Sequence, residues 1–320
     1  MRVLITGITG FVGRHLAEHL LAQGHHELWG LTRARGHLAP ALAAHITEIA
    51  ADLNDAEATT QAIATVRPTV IYHLAGQAFV PESFRDPAAT LSANTLGALH
   101  IFRSLIALGS SARVLIVGSN EEYGQITADD LPLNEQTPLR PANPYGVSKA
   151  TQSLFAAQYH LSHGLATLRV RPFTHIGPGQ NERFVTAAFA RQIARIEMGL
   201  QPPMVHVGNL SARRDFTDVR DIVRAYALIA AHGEPGAVYN VGSGQAVMIR
   251  ELLDLLLEAS TVRVEVRLNP ELMRPIDIPL VVCDATRLRE QTGWVPQLPL
   301  RQTLHDILNY WRAKVADCRL

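Results

Sequence analysis

Through the first 170 residues, short aliphatic runs alternate with longer stretches whose apolar residues recur at helical spacing. Residues 2–6 (RVLIT) predict a buried strand. Residues 11–23, with Phe11, Val12, Leu16, Leu20 and Leu21 on one face, predict a helix closed by Gly24. Further strands are expected at 26–32, 45–50, 69–75, 113–119 and 166–172, with helices near 55–66, 88–108 and 144–162 between several of them. This is the β-α-β rhythm of an α/β fold with a doubly wound, Rossmann-like parallel sheet. After Pro172 the elements shorten and loops rich in Gly, Pro and Arg take over, until residues 237–244 (AVYNVGSG) again read as a strand entering a glycine turn. The chain is therefore expected to leave the sheet for a smaller C-terminal α/β lobe and to return. One domain would comprise 1–172 with about 215–245, the other about 173–214 with 246–320. Ligands of such sheets sit at the carboxyl ends of the strands, here in the cleft between the two parts.

The 320 residues suffice for one large or two ordinary domains. Lys plus Arg equals Asp plus Glu at 29 each, so no global field recruits nucleic acid or an anionic membrane, and any anionic ligand must be met by local charges. Cys283 and Cys318 lack metal-ligand spacing, which predicts no metal centre, and so few cysteines fit a reducing compartment, the cytoplasm. The apolar run at the N-terminus is too short for a signal peptide or a spanning helix, and the protein is expected to be soluble.

The segment TGITGFVG places Gly7, Gly10 and Gly13 at three-residue intervals after the first strand, with Phe11 and Val12 opening the helix. Glycines let a phosphate approach backbone N–H groups, and the helix N-terminus adds partial positive charge. The spacing differs from the commoner G-x-G-x-x-G, yet three glycines exceed what a plain strand-to-helix turn requires. After the second strand, where an NAD enzyme usually has an acidic residue, the chain reads Thr32-Arg33-Ala34-Arg35. Guanidinium groups there fit a ribose 2′-phosphate, so NADP(H) is preferred and NAD(H) possible; a solvated basic loop is the alternative. Asp52 and Leu53 after the third strand, and Leu74, Ala75 and Gly76 after the next, are placed to flank the adenine and the nicotinamide ribose.

The segment NPYGVSKA has Asn143 as an N-cap and Pro144 at the first helical position. Tyr145 and Lys149, four residues apart, then share a helix face, where the ammonium would lower the phenol from its usual pKa of ~10. Alone, this spacing also arises by chance on a solvated face. GSNEEYG after the fifth strand puts Ser119 and Glu121 at the carboxyl edge of the sheet beside that helix.

Taken together, the glycine loop, HLAG, Ser119, Tyr145 with Lys149, RPFTHIGPGQ, RRDFTDVRD and RPID resemble the extended, nucleotide-sugar-modifying branch of the short-chain dehydrogenase/reductases over nearly the whole chain. The resemblance implies that Tyr145 is the acid/base at the sugar oxygen, that Ser119 hydrogen-bonds that oxygen, and that Lys149 tunes the tyrosine and binds the nicotinamide ribose. It further implies cofactor contacts at Pro172, substrate contacts at Ser83, Glu121 and Thr174, a grip on the diphosphate by Arg214 and Arg274, and a homodimer. Thr174 stands where the family usually has Asn.

Within the branch, the segments 73–87, 171–180 and 283–296 most resemble GDP-4-keto-6-deoxy-D-mannose reductases, which form GDP-D-rhamnose with NAD(P)H, and next GDP-mannose 4,6-dehydratases. Glu121 keeps the carboxylate that a dehydratase would use at sugar C-5. The expected activity is therefore reduction of a GDP-linked 4-keto-6-deoxyhexose. A 4,6-dehydratase or 4-epimerase is the enzymatic alternative, and a dinucleotide-bound regulatory protein, which an intact Ser/Tyr/Lys set argues against, is the non-enzymatic one.

Overall fold

The computed structural model describes residues 1–24, 27–34, 36, 38–273 and 278–317; Arg35, Arg274 and Cys318 lie outside the described residues. The chain runs β1 (Arg2–Thr6), α1 (Phe11–Ala22), β2 (Glu27–Thr32), α2 (Pro40–Ala43), β3 (Thr47–Ala50), α3 (Ala56–Val66), β4 (Val70–His73), α4 (Val80–Arg85), α5 (Pro87–Ala107) and β5 (Arg113–Val117). It continues through α6 (Pro144–His163), β6 (Thr167–Pro172), β7 (Thr174–Ile176), α7 (Val185–Glu197), β8 (Met204–Val207), β9 (Arg213–Asp218), α8 (Val219–His232) and β10 (Val238–Val241). The remaining elements are β11 (Ala246–Met248), α9 (Ile249–Glu258), β12 (Glu265–Leu268), α10 (Thr286–Thr292) and α11 (Leu300–Asp317).

Seven strands form one sheet in the order β10-β6-β5-β4-β1-β2-β3, and every neighbouring pair is parallel. Helices cover both faces, which is why the central strands carry almost unbroken apolar runs instead of alternating ones: Val3, Leu4 and Ile5 of β1 and Val114, Leu115 and Ile116 of β5 are all buried. The chain steps outward from β1 to β2 and β3, then returns to place β4 on the other side of β1. The strand order thus reverses at β1/β4, and a crevice opens there beyond the carboxyl ends.

The second lobe holds a three-stranded sheet, β11-β9-β7, and a parallel pair, β12-β8. Ile176, Phe189, Ile193, Val205, Phe216, Leu252, Leu256 and Ile307 form its core. Three aspartates of the RRDFTDVRD segment tie this lobe to distant loops. Asp215 accepts from Ser243 N (2.8 Å), Gly244 N (2.8 Å) and Cys283 N (3.1 Å). Asp218 caps α8 through Arg220 N (2.8 Å) and accepts the Thr303 hydroxyl of α11 (2.7 Å). Asp221 accepts Gln297 N and Leu298 N, each at 2.9 Å. All three are buried, and a buried carboxylate is tolerable only with donors of this kind. Among the described residues, no helix is long and apolar enough to cross a membrane.

Candidate active site

The turns after β1, β4 and β5, which are adjacent in the sheet, converge on one edge. After β1, Gly7 adopts φ +69°, and a Cβ there would lie 2.7 Å from Ala75 N, so the two strand ends can approach this closely only with glycine. Thr6 Oγ1 fastens the same ends together, accepting Ala75 N at 3.2 Å and lying 2.9 Å from His73 Nδ1. His73 is buried, and burial, then the charge of Lys149, lowers its pKa to about 3, so the ring is neutral.

Helices α3, α5, α6 and α8 begin with a capping side chain, from Asp55, Asp86, Asn143 and Asp218. Helix α1, which follows Gly10, has no side-chain cap and no acidic residue in its first turn; the same holds for α2, α7 and α10, but α1 alone among these four opens directly from the glycine turn after β1. Its leading N–H groups, from Phe11, Val12 and Gly13, are therefore left for an anion, as a dinucleotide pyrophosphate requires. The 175–179 segment lies across this turn. The His175 ring stacks on Phe11 (centroids 6.2 Å apart, planes at 5°), His15 Nε2 lies 2.9 Å from Pro178 O, and Arg14 donates to Gly179 O at 3.2 Å.

Arg33 is exposed just past β2. Glu48 of β3 holds that loop by accepting the Thr32 hydroxyl (2.8 Å) and Gly36 N (2.7 Å), a partnership sequence reasoning missed. Asp52 is exposed and accepts Asn54 N at 2.9 Å, while Leu53 is half-buried below it. Leu74 and Ala75 are half-buried and Gly76 is exposed at the end of β4; Pro172 ends β6 opposite Val241.

The catalytic candidates meet where α6 starts. Asn143 Oδ1 accepts Gly146 N at 2.8 Å and its Nδ2 donates to Glu121 Oε2 at 2.7 Å, so one side chain both caps the helix and holds the carboxylate. Gly146 permits this contact, because a Cβ would stand 2.4 Å from Glu121 O. Tyr145, Lys149 and Ser119 are all buried, and the Ser119 hydroxyl hydrogen-bonds Tyr145. Lys149 Nζ donates to Val117 O (2.8 Å) and to Gln152 Oε1 (3.2 Å), with Gly76 close by.

Burial, the largest influence, pushes the Tyr145 phenol well above its usual pKa; the Ser119 hydroxyl, hydrogen-bonded to it, pulls it down, and Glu121 and Glu122 push it up. The expectation that Lys149 depresses the phenol is thus corrected: desolvation outweighs every neighbour, Lys149 is not among the influences on the phenol, and two of its three donors go to Val117 and Gln152. Burial also lowers Lys149 to about 8, against the charge of Glu122.

Two further residues escaped sequence reasoning. Asn94, fully buried within α5, accepts Gln77 N (2.7 Å) and donates to Gln77 O (3.0 Å) and to Ser148 Oγ (2.8 Å), so it locks the loop after β4 onto α6. Its signal was an amide on the buried face of a helical pattern. Glu122, fully buried behind Ser119, is the other.

The expected substrate residues are not all equally placed. Thr174 is half-buried at the start of β7, opposite Phe216 of β9. Arg214 lies on β9 with Nη1 donating to Arg213 O at 2.9 Å. Ser83 is fully buried, its hydroxyl donating to Val80 O at 2.7 Å inside its own helix.

Residues 4–307 match the family model described as GDP-mannose 4,6 dehydratase. Over 99% of both chains, the protein is 40% identical to a GDP-6-deoxy-D-mannose reductase of Pseudomonas aeruginosa. A solved structure of RMD from Pseudomonas aeruginosa complexed with NADPH superposes with a TM-score of 0.85 at 38% identity, covering 98% of this chain and 99% of that one. A Thermus thermophilus UDP-glucose 4-epimerase complex with NAD gives a TM-score of 0.85 at 30% identity, over 98% and 99% of the two chains. With its glycine turn, uncapped first helix and Ser119/Tyr145/Lys149 cluster in this common frame, the chain belongs to the GDP-mannose 4,6-dehydratase family.

Proposed function

We propose that the protein reduces GDP-4-keto-6-deoxy-D-mannose to GDP-D-rhamnose with NADPH, NADH being a poorer donor. The observation that carries this reading is the convergence of Ser119, Tyr145 and Lys149 beside an uncapped helix N-terminus, in a chain 40% identical along its length to a reductase of that substrate class. The nicotinamide, when bound, supplies the hydride for the keto carbon. Tyr145 gives the matching proton to the keto oxygen, and the raised pKa of its phenol supports this direction, since the protonated form is the one a reductase needs. Ser119 hydrogen-bonds and polarises the same oxygen. Lys149 binds the ribose next to Gly76, and the first turn of α1 binds the pyrophosphate. Arg214, with Thr174, faces the nucleotide-sugar, and Arg274 is proposed to join them.

A second reading, 4,6-dehydration of GDP-mannose, is favoured by one observation: Glu121 is held by Asn143 next to Tyr145, where a C-5 base would be required. Two incubations separate the readings. GDP-4-keto-6-deoxymannose with NADPH should yield GDP-rhamnose with one NADPH consumed per product; a 4-keto product from GDP-mannose alone, with no net oxidation, would replace the first reading by the second.

Cofactor choice rests on Arg33. Arg33→Ala should weaken NADPH by about tenfold or more, the ~1.5–3 kcal/mol of a lost charge-assisted contact, and leave NADH nearly unchanged. Calorimetric titration of both cofactors checks this, and equal affinities in the parent protein would refute the 2′-phosphate role.

We further propose a homodimer through α5 and α6. Val147, Leu154 and Leu161 lie at seven-residue intervals on α6 and are exposed, Leu154 to 59% and Leu161 to 84%, with Leu91 and Leu96 exposed on the adjacent α5. A heptad stripe of this kind suits helix packing against a second copy. Leu154→Glu should shift the sedimentation coefficient from dimer to monomer, and a parent protein that sediments as a monomer would defeat the proposal.

A further inference from the structure

We propose that Glu122 is a positioning residue: from behind the site its carboxylate fixes the backbone of Ser119 and supplies the buried negative charge that keeps Lys149 an ammonium. Glu122 is fully buried. Its Oε1 accepts Ser119 N at 2.9 Å and its Oε2 accepts Arg171 Nε at 2.8 Å. Both oxygens accept donors, one of them a guanidinium, an arrangement that favours the carboxylate form. The Ser119 contact closes a capping box on the 3₁₀ turn Asn120–Glu122, in which Ser119 Oγ accepts Glu121 N at 3.1 Å. The hydroxyl that faces Tyr145 is therefore aimed by a turn that Glu122 braces.

The preceding residue is shaped to the same carboxylate. A Cβ on Gly118 would stand 2.0 Å from Glu122 Oε1, so glycine is required for the carboxylate to lie against the end of β5. Arg171 is held in turn by Tyr123 Oη (3.2 Å) and Glu135 O (3.3 Å), which anchors the ion pair to the core.

Electrostatics points the same way. Burial raises the Glu122 pKa, while Arg171, the Ser119 N–H and Lys149 oppose it. Lys149 Nζ is anchored at Val117 O and the Glu122 carboxylate at Ser119 N, two residues further along the same strand end, so ammonium and carboxylate share one turn, and the Glu122 charge favours the ammonium against its own burial. His73 of β4, which feels the Lys149 charge, is neutral, and Arg171 of β6 is engaged by the Glu122 carboxylate. Neither replaces the lost anion. The inference rests on the Ser119/Tyr145/Lys149 reading of the site and not on the identity of the sugar.

The chain has only two lysines, Lys149 and Lys314, so labelling lysine with ¹³C at Cε gives two resolvable titrations, and Lys314→Arg identifies which is which. In Glu122→Gln, whose amide oxygen can still accept Ser119 N, the Lys149 midpoint should fall by about one pH unit from its parent value, because the charge that favours the ammonium is gone. Turnover should fall about tenfold, while NADPH affinity measured well below the Lys149 midpoint, where the ammonium persists, should be unchanged, which places the loss in kcat rather than in cofactor binding. Glu122→Gln/Arg171→Met removes both ends of the buried pair and should recover the melting temperature lost in the single variant while keeping the lowered midpoint. A Lys149 midpoint that stays at its parent value in either variant, or turnover restored together with stability in the double variant, would overturn the proposal. The titration is read without substrate, so it stands or falls separately from the assigned reaction.

Discussion

Tyr145→Phe is expected to lower turnover of GDP-4-keto-6-deoxymannose by about 10²–10⁴-fold, the range general-acid catalysis supplies, with NADPH affinity nearly intact. The phenyl ring fills the same buried space beside Ser119, so the change deletes a proton donor and little else. Glu121→Gln provides the contrast. Its carboxylate is held by Asn143 at 2.7 Å, and the Gln carbonyl oxygen can accept that same donor, leaving the end of α6 in place. A reductase has no C-5 proton to remove, so this variant should retain a substantial part of its turnover. Steady-state rates from NADPH absorbance decide the matter: collapse in both variants would transfer the assignment to dehydration, and an active Tyr145→Phe would remove the tyrosine from the chemistry.

Gly7→Ala is expected to weaken NADPH by at least about 30-fold, the ~2 kcal/mol at the low end of the two costs that combine here. A non-glycine residue in the left-handed region costs ~1–3 kcal/mol, and a Cβ driven into packed atoms another ~1–3 kcal/mol. Here φ is +69°, and the obstructing atoms are the backbone of Leu74 and Ala75, which no rotamer change can clear. The strand ends must part, and the first turn of α1 then no longer faces the pyrophosphate. The melting temperature should also fall, on the order of 5 °C. Calorimetry and a thermal scan check both effects; full NADPH affinity at parental stability would show that the turn does not position the cofactor.

Local chemistry explains which parts were legible in the sequence. The strand expected at 2–6 is β1 as observed, and the helix expected at 144–162 is α6, because Asn143 and Pro144 start it and Gly164, at φ 68°, ends it. Each signal lies within a few residues of the feature it specifies. Ser119, Tyr145 and Lys149 could be placed together because each follows or opens such an element. Partnerships across the chain were not legible. Glu122 and Arg171 are 49 residues apart, and nothing near either shows that they pair. The RRDFTDVRD segment stood out, but its aspartates serve loops and a helix up to 85 residues away. The Tyr145 pKa could not be read either, because desolvation depends on everything packed around the ring.

The late arrival of β10 has a consequence for synthesis. When β6 leaves the ribosome, six strands of the large sheet exist and β6 is its open edge; β10, which covers that edge, ends at Val241. At ~5–20 residues per second the nascent sheet waits roughly 3–14 s with one side of β6 unpaired. The wait for Asp218 and Asp221 is longer, since their donors at Thr303, Gln297 and Leu298 lie 85, 76 and 77 residues further along the chain. Ribosome-bound chains stopped near residue 215 should therefore recruit holdase chaperones, and a chain cut before residue 297 should stay protease-sensitive in the lobe those donors otherwise tie down.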